Sequence, residues 1–282
     1  MMFSYYPGCS SHSTAKTYDT SAREVCTVLG IELHELSEWN CCGASTAQST
    51  DSRLSTLLCL RNLKLAEQTG RDLTTICAFC FNRLKNAQSM LKANPSLIDL
   101  FEDITGLKYE ESVKVRHILE LIFNDIGIDN IKNKVRTPLH GLKAVIYYGC
   151  FLVRPPEITG FDDPEYPLTM DTLMAAIGVE PLSWSYKTEC CGGSLSITKR
   201  EIVSPLVNTI SIMAVEAGAN CIVTACPLCF TNIETRTGSA NRIPVFYFTE
   251  LLGLAFGIDG SRRWFKRHLI SPEKLLRSLK LI

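Results

Sequence analysis

Ten of the thirteen cysteines in this chain fall into two copies of one pattern. The first copy is Cys9, the pair Cys41-Cys42 followed by Gly43, and Cys77-Ala78-Phe79-Cys80. The second is Cys150, the pair Cys190-Cys191 followed by Gly192, and Cys226-Pro227-Leu228-Cys229. From the vicinal pair onward, corresponding cysteines stand 149 residues apart. Any fold for this chain has to gather three distant segments at one place, and do so twice. Five thiols per copy exceed what one tetrahedral zinc or one cubane iron–sulfur cluster takes up. The excess points to paired metal–sulfur chemistry of redox character.

A chain of 282 residues can bury a sizeable core and fits one large domain or two of about 140 residues. Lys+Arg and Asp+Glu are equal at 29 each. No basic excess is available to neutralise phosphates, which argues against nucleic acid as a partner. The N-terminus, from Met1 to Cys9, carries neither a charged n-region nor an apolar h-region, and no apolar run reaches bilayer length. The expected compartment is the cytoplasm, with no membrane insertion. There, clustered cysteines act as metal ligands or redox thiols, not as a secreted disulfide framework.

The segments around the cysteines repeat too. In the first half, Met2–Tyr6, Ile31–Leu36 and Leu73–Ile76 read as strands; Ser13–Leu29, Asp51–Gln68 and Phe81–Leu91 read as helices, the first closed by Gly30. In the second, Ala144–Tyr148, Val179–Ser185 and Cys221–Thr224 read as strands, with helices over Met170–Ile177 and Ile202–Glu216. Val115–Ile128 matches Val245–Ile258 at an offset of 130, so the first half holds an insertion, placed mostly in Asn94–Glu111. The fold class expected is α/β: two Rossmann-like parallel βα halves from an internal duplication. The division is 1–129, 142–260 and a helical tail 261–282, with Asn130–Gly141 as linker and Ser271-Pro272-Glu273 opening a tail helix.

In open α/β sheets, ligands collect beyond the carboxyl ends of the strands. All six cysteine elements follow expected strands, so three loops per half converge at one sheet edge. Each CxxC also opens a helix, whose free N–H groups and partial positive charge stabilise thiolates. Gly8, Gly43, Gly149 and Gly192 flank the cysteines and allow close backbone approach. Two four-cysteine zinc sites would leave two thiols over, and structural zinc usually staples modules without a core; a zinc-stapled scaffold is the weaker reading. A thioredoxin-like role leaves the lone and vicinal cysteines unused. Cys26, Cys59 and Cys221 lie in apolar helices or strands and read as small core hydrophobes.

The full pattern, with Tyr5-Tyr6-Pro7-Gly8-Cys9, Trp39-Asn40-Cys41-Cys42-Gly43 and Thr224-Ala225-Cys226-Pro227-Leu228-Cys229, resembles the duplicated CCG-domain proteins, specifically the B subunit of heterodisulfide reductase. The similarity covers nearly the whole chain, and neither copy lacks a cysteine. The resemblance implies two noncubane 4Fe-4S clusters, each held by five cysteines. One would use Cys9, Cys41, Cys42, Cys77 and Cys80; the other Cys150, Cys190, Cys191, Cys226 and Cys229. It implies a cleft between the clusters where a small disulfide is cut, the mixed disulfide of coenzymes M and B in methanogens. It also implies a cubane iron–sulfur C subunit and a flavin-containing A subunit as partners, in an anaerobic, electron-bifurcating setting. Catalysis is assigned to the clusters, with no side chain named. The chemistry is coherent, because cleaving S–S takes two electrons and two protons, and two clusters facing one disulfide can supply one electron each. An electron relay with no substrate site of its own is the alternative function.

The remaining polar residues carry less. His12, His34, His117, His140 and His268 form no evident catalytic arrangement, and His12 reads as a solvated loop residue. Arg83, Lys187, Lys199 and Arg200 lie near the cysteine motifs and read as surface charge. Trp39 and Trp184 precede the two CCG motifs and either shield them or pack. Glu120 and Glu250 read as helix-start residues. There is no Gly-rich phosphate loop, so neither nucleotide nor flavin is expected on this chain.

Overall fold

The computed structural model describes residues 1–44 and 46–282. Two four-stranded parallel sheets form its frame. The first holds β1 (Met2–Tyr6), β2 (Glu32–Glu35), β3 (Leu73–Thr75) and β4 (Val115–His117) in the order β2-β1-β3-β4. The second holds β5 (Lys143–Tyr147), β6 (Glu180–Leu182), β7 (Cys221–Thr224) and β8 (Val245–Tyr247) in the order β6-β5-β7-β8. Every pairing is parallel; Ser4, for example, lies opposite Leu73, and Ala144 opposite Cys221. Parallel neighbours need long crossovers, and helices supply them. The central strands read as continuous apolar runs because helices cover both faces: Phe3–Tyr6 and Ala144–Tyr147 are wholly buried. The α/β duplication read from the sequence is therefore the architecture found.

The crossovers start and stop where the sequence says. Helix Lys16–Val28 runs until Leu29, with Gly30 at φ +72°. Helix Ser52–Gln68 is capped by Asp51, whose carboxylate accepts the Arg53 and Leu54 N–H groups. The first-half insertion is an additional helix, Ser96–Thr105, anchored by buried Leu97 and Phe101. The stretch 130–141 differs from a plain linker. Its first residues continue helix Ile128–Lys134, and Ile131 and Leu139 are fully buried. The apolar residues in that polar run pack against the frame, which a composition average conceals.

The halves are sewn together along helix Lys16–Val28. Its Tyr18 stacks on Tyr247 with ring centroids 4.1 Å apart and donates its hydroxyl to the Ala225 carbonyl at 3.1 Å. Ser21 Oγ and Thr249 Oγ1 meet at 2.6 Å, both fully buried. The tail continues the second half rather than hanging free. Trp264, Phe265 and Leu276 are buried, and His268 Nε2 lies 2.9 Å from Glu250 Oε1 and its Nδ1 3.7 Å from Glu234. The tail helix is Glu273–Ser278, with Ser271 Oγ accepting from Glu273 N.

Two outcomes follow. Ser21→Ala strands the buried Thr249 hydroxyl and costs about 1–3 kcal/mol, while Ser21→Ala with Thr249→Val recovers most of it; chemical denaturation of the four cycle members measures this. The second concerns pH. Burial alone opposes charge on His268, but Glu250 and Glu234 outweigh it and hold its pKa above the usual histidine value. A raised pKa stabilises fully below the unfolded value of about 6.5 and is lost as pH climbs through the folded value. The stability gap between the native chain and His268→Gln is accordingly widest near pH 6 and closes toward alkaline pH, as denaturation at a series of pH values will show.

Candidate metal–sulfur site

In each half the chain leaves the first strand, crosses to an edge strand, then returns to pair on the other side of the first. That reversal puts a switch point between β1 and β3, and between β5 and β7. Loops diverge there and leave a crevice at the carboxyl edge. Cys9 and Cys77 follow the strands that flank the first crevice; Cys150 and Cys226 follow those that flank the second. The vicinal pairs arrive from the edge strands β2 and β6.

The first nest holds all five expected thiols. Cys9 opens a 3-10 helix, Cys9–His12, directly after β1. Cys77 is the N-cap of helix Ala78–Ala93, and its sulfur accepts the Cys80 N–H at 3.5 Å. Cys42 Sγ lies 3.5 Å from Cys80 Sγ, and Cys41 Sγ 4.0 Å from Cys9 Sγ. In the second nest Cys226 caps helix Pro227–Arg236, with Pro227 at its first position. Cys191 Sγ and Cys229 Sγ are 3.4 Å apart, Cys150 lines a small void with Cys191, Cys226 and Cys229, and the Gly192 N–H donates to Cys190 Sγ at 3.3 Å. Both nests grade from a wet rim to a dry floor: Cys9, Cys41 and Cys190 are exposed, whereas Cys42, Cys77, Cys80, Cys191, Cys226 and Cys229 are buried. All thirteen cysteines are free thiols.

Two glycines reserve the space. Gly8 at φ +75° and Gly149 at φ +67° adopt backbone that L side chains rarely take. A Cβ at either would come within 3.0 Å of Cys80 Sγ or 2.8 Å of Cys229 Sγ.

The thiols sort by environment. Cys41 is held far below the usual thiol range by hydrogen bonds from the Cys42 and Cys9 thiols and from the Gly43 and Ala44 N–H groups. Cys190 is brought down to about 6 by Cys150 and by the Gly192 and Gly193 N–H groups. Their partners go the other way: Cys9, Cys42, Cys80, Cys150 and Cys229 are raised, chiefly by hydrogen bonding to a neighbouring sulfur. Buried Cys191 is also lowered, chiefly by Cys229, so the first nest favours a thiolate at its rim and the second at both members of its vicinal pair. Cys26 and Cys59 are pushed up to about 12 by burial, and Cys221 is also raised by it, as core thiols are.

The nests are neighbours. A cavity of about 10 Å³ in the second nest is lined by Cys150, Cys191, Cys226 and Cys229 and closed by Ala78 of the first CxxC. Phe79 of that motif stacks on Phe151, next to Cys150, at 4.2 Å and 11°. Such a void holds one water at most. Among the described residues, no three His, Cys, Asp or Glu side chains stand in the geometry of a single metal ion. The donor set nevertheless suits a sulfide-bridged iron cluster: soft thiolates, helix N-termini facing them, and a glycine where bulk is barred. To hold one, the inner thiols have to swing apart from their mutual contacts.

Several single residues differ from expectation. Lys187 is not surface charge. It is 1 % exposed, its Nζ donating to Asp171 Oδ1 at 2.6 Å and Pro167 O at 3.0 Å beneath the Tyr166 ring. A buried ammonium persists only when paired in this way. Arg83 is half-buried and donates to Ser55 Oγ at 2.9 Å, whereas Lys199 and Arg200 are exposed as expected. His12 is exposed, stacked on Trp39 and 3.6 Å from Glu35. Trp39 and Trp184 brace Tyr6 and Tyr147 edge-on. Glu120 and Glu250 do lie in first helical turns, but Glu250 is fully buried. Residues to which the sequence assigned no role include Tyr6 and Tyr147 beneath the nests, and Asn232, whose amide donates to Cys191 O at 3.0 Å. His117 lies between the halves, with Nδ1 accepting Leu119 N–H and Nε2 3.0 Å from the Ile76 carbonyl. The one available signal was a tyrosine three residues before each lone cysteine.

Fold and thiol pattern together define a duplicated cysteine-rich α/β protein. The family model for the cysteine-rich domain matches residues 3–85 and 144–234, and the chain belongs to that family, alongside the B subunits of heterodisulfide reductase. It is 30% identical over 97% of its length to the 8-methylmenaquinol:fumarate reductase membrane anchor subunit of Wolinella succinogenes, covering 98% of that protein. It is 28% identical over 98% of its length to the B subunit of the ferredoxin/F(420)H(2)-dependent CoB-CoM heterodisulfide reductase of Methanosarcina acetivorans, covering 96% of it. A protein of Archaeoglobus profundus, named for its likeness to the heterodisulfide reductase B subunit, is 29% identical, with 91% of each chain covered. The chain also superposes on a hypothetical protein from Helicobacter pylori with TM-score 0.73 at 12% identity; 96% of this chain covers 52% of that one, which speaks for the fold. No helix among the described residues is long and apolar enough to cross a membrane.

The thiol ordering gives a direct test. In metal-free reduced protein near pH 7, brief iodoacetamide treatment labels Cys41 and Cys190 first, and Cys26, Cys59 and Cys221 last. Peptide mass spectrometry reads the order.

Proposed function

We propose that this chain is the disulfide-reducing iron–sulfur subunit of a heterodisulfide reductase-type complex. The observation that carries the reading is the pair of adjacent five-thiol nests, each at a sheet switch point. Cys9, Cys41, Cys42, Cys77 and Cys80 would hold one noncubane 4Fe-4S cluster, and Cys150, Cys190, Cys191, Cys226 and Cys229 the other. Such clusters supply electrons singly, and two of them meet the two-electron demand of RSSR′ + 2e⁻ + 2H⁺ → RSH + R′SH. The units would be 1–129 and 142–260, with 261–282 packed on the second.

The protein's part is positional and electrostatic. In the first nest the Cys80 N–H donates to Cys77 Sγ, and in both halves the N-terminal end of the CxxC helix lies at the nest and favours negative charge there. Gly8 and Gly149 leave room beside the innermost thiols. The Phe79–Phe151 stack places an apolar contact between the nests. The exposed rims at Cys9, Cys41 and Cys190 leave a route for a small disulfide and for solvent protons. Electrons would arrive from a cubane iron–sulfur C subunit and a flavin-bearing A subunit, in the cytoplasm, with no flavin on this chain.

A second reading is favoured by the relative from Wolinella succinogenes, whose name places it in a menaquinol:fumarate reductase. In that reading the same nests relay electrons and no disulfide binds.

The experiment is anaerobic purification with iron, sulfide and zinc analysis, EPR, and assay of reduced dye against candidate disulfides. The expected result is iron and sulfide for two four-iron clusters, no zinc, and dye-driven disulfide reduction. Cys80→Ser or Cys229→Ser removes about half of the iron and abolishes the activity. Full iron with no activity toward any disulfide favours the relay; zinc in place of iron sinks both readings.

A further inference from the structure

Each nest rests on one buried tyrosine. Tyr6 ends β1 and Tyr147 ends β5, and both are fully buried. The Tyr6 ring edge lies 3.9 Å from where a Gly8 Cβ would be, and the Tyr147 ring 4.0 Å from the same point at Gly149. Each ring therefore lies directly under the backbone that delivers the lone cysteine. At its far end the Tyr6 hydroxyl donates to the Asn40 carbonyl at 2.9 Å, and the Tyr147 hydroxyl to the Glu189 carbonyl at 2.7 Å. Asn40 and Glu189 are the residues immediately before Cys41 and Cys190. One side chain thus spans from the lone-cysteine loop to the vicinal-pair loop in each half.

The duplication argues that this span is no accident of packing. The tyrosines are 141 residues apart, as are the lone cysteines, while the acceptors are 149 apart, as are the vicinal pairs. The acceptor side chains differ, amide in one half and carboxylate in the other, which is expected where only the carbonyl is used. That carbonyl shares its peptide plane with the N–H of the first vicinal cysteine. Fixing the oxygen fixes the plane from which Cys41 or Cys190 projects.

We propose that Tyr6 and Tyr147 are positioning residues, each orienting the vicinal cysteine pair toward the cluster of its own half and touching no substrate. This rests on the reading that the nests hold iron–sulfur clusters. The halves are not equally dependent. The Asn40 carbonyl also accepts from Asn62 Nδ2 at 2.8 Å. Among the described residues, the Glu189 carbonyl has the Tyr147 hydroxyl alone. Loss of the hydroxyl is therefore felt more in the second half.

Tyr6→Phe and Tyr147→Phe remove one oxygen each and keep the ring. Both are purified anaerobically; iron content, melting temperature, EPR and the midpoint potential of each cluster are measured, with kcat and KM for whichever disulfide the native protein reduces. The expected result is native iron content and two distinct single-cluster perturbations. Tyr147→Phe shifts the potential and EPR signal of one cluster and lowers kcat about 10-fold at unchanged KM. Tyr6→Phe shifts the other cluster by less. Fluorotyrosine at 147, which keeps the donor, restores the native signal. Native spectra and potentials in both variants overturn the proposal, as does a loss of iron from both halves together with a lowered melting temperature. A native protein without iron refutes the cluster reading itself, a result that no comparison of variants can mimic.

Discussion

The parallel order of four short strands is the constraint on which everything else in this molecule depends. A parallel pair can only be closed by a crossover, and the crossover brings each loop back to the same edge of the sheet. With β1 between β2 and β3, and β5 between β6 and β7, three loops per half must emerge together. Residues as distant as Cys9 and Cys80 thereby become neighbours without any long excursion of the chain. The carboxyl edge is also where the following helices begin. A thiol placed there receives the free N–H groups of a first turn without further provision. The lowering of Cys41 and Cys190 comes first from the sulfurs that this placement brings beside them, then from the Gly43, Ala44, Gly192 and Gly193 N–H groups of their own loops.

The two halves obey one plan but depart from it where they touch. His117 at the end of β4 corresponds to Tyr247 at the end of β8. The histidine reaches the Ile76 carbonyl, while the tyrosine is sandwiched between Tyr18 and Phe230 at 4.1 Å from each. Glu120 pairs with Arg116 at the surface, whereas Glu250 is buried against His268 of the tail. Phe79 in the first CxxC stacks across the interface, and its counterpart is Leu228. A duplicated chain that folds on itself must break its symmetry at the seam, because one surface cannot meet its own copy and also the rest of the chain in identical ways.

Much of this was legible in the residues. The six strands that lead to the cysteines, the order of elements, the place of the insertion and the convergence of ten thiols all follow from local pattern and the repeat; the three-residue strands β4 and β8 and the helical form of the insertion do not. What escaped has a common cause, in that it depends on partners remote in sequence. Lys187 looked like any lysine near a loop until Asp171 and Pro167 were brought to it. The run 130–141 looked like a linker because its buried residues, Ile131 and Leu139, are outnumbered by polar ones. Tyr6 and Tyr147 looked like strand hydrophobes, since nothing local shows that their hydroxyls end on a peptide more than thirty residues away. The burial of Glu250 needed the tail, whose docking no periodicity announces.

The contacts at His117 and Tyr18 have a mechanical meaning. The His117 ring, with its Nδ1 committed to Leu119 N–H, presents Nε2 to the carbonyl of Ile76 and lies beside that of Ala225. Tyr18 adds its own hydroxyl to Ala225. Those two carbonyls immediately precede Cys77 and Cys226. The innermost strands of the two halves are thus riveted at the very points where their thiols begin, by buried hydrogen bonds worth about 1 kcal/mol apiece. A jaw-like opening of the two lobes would have to break these bonds together with the Tyr18–Tyr247 and Phe79–Phe151 stacks, so the seam resists the motion at the very residues that begin the thiol loops.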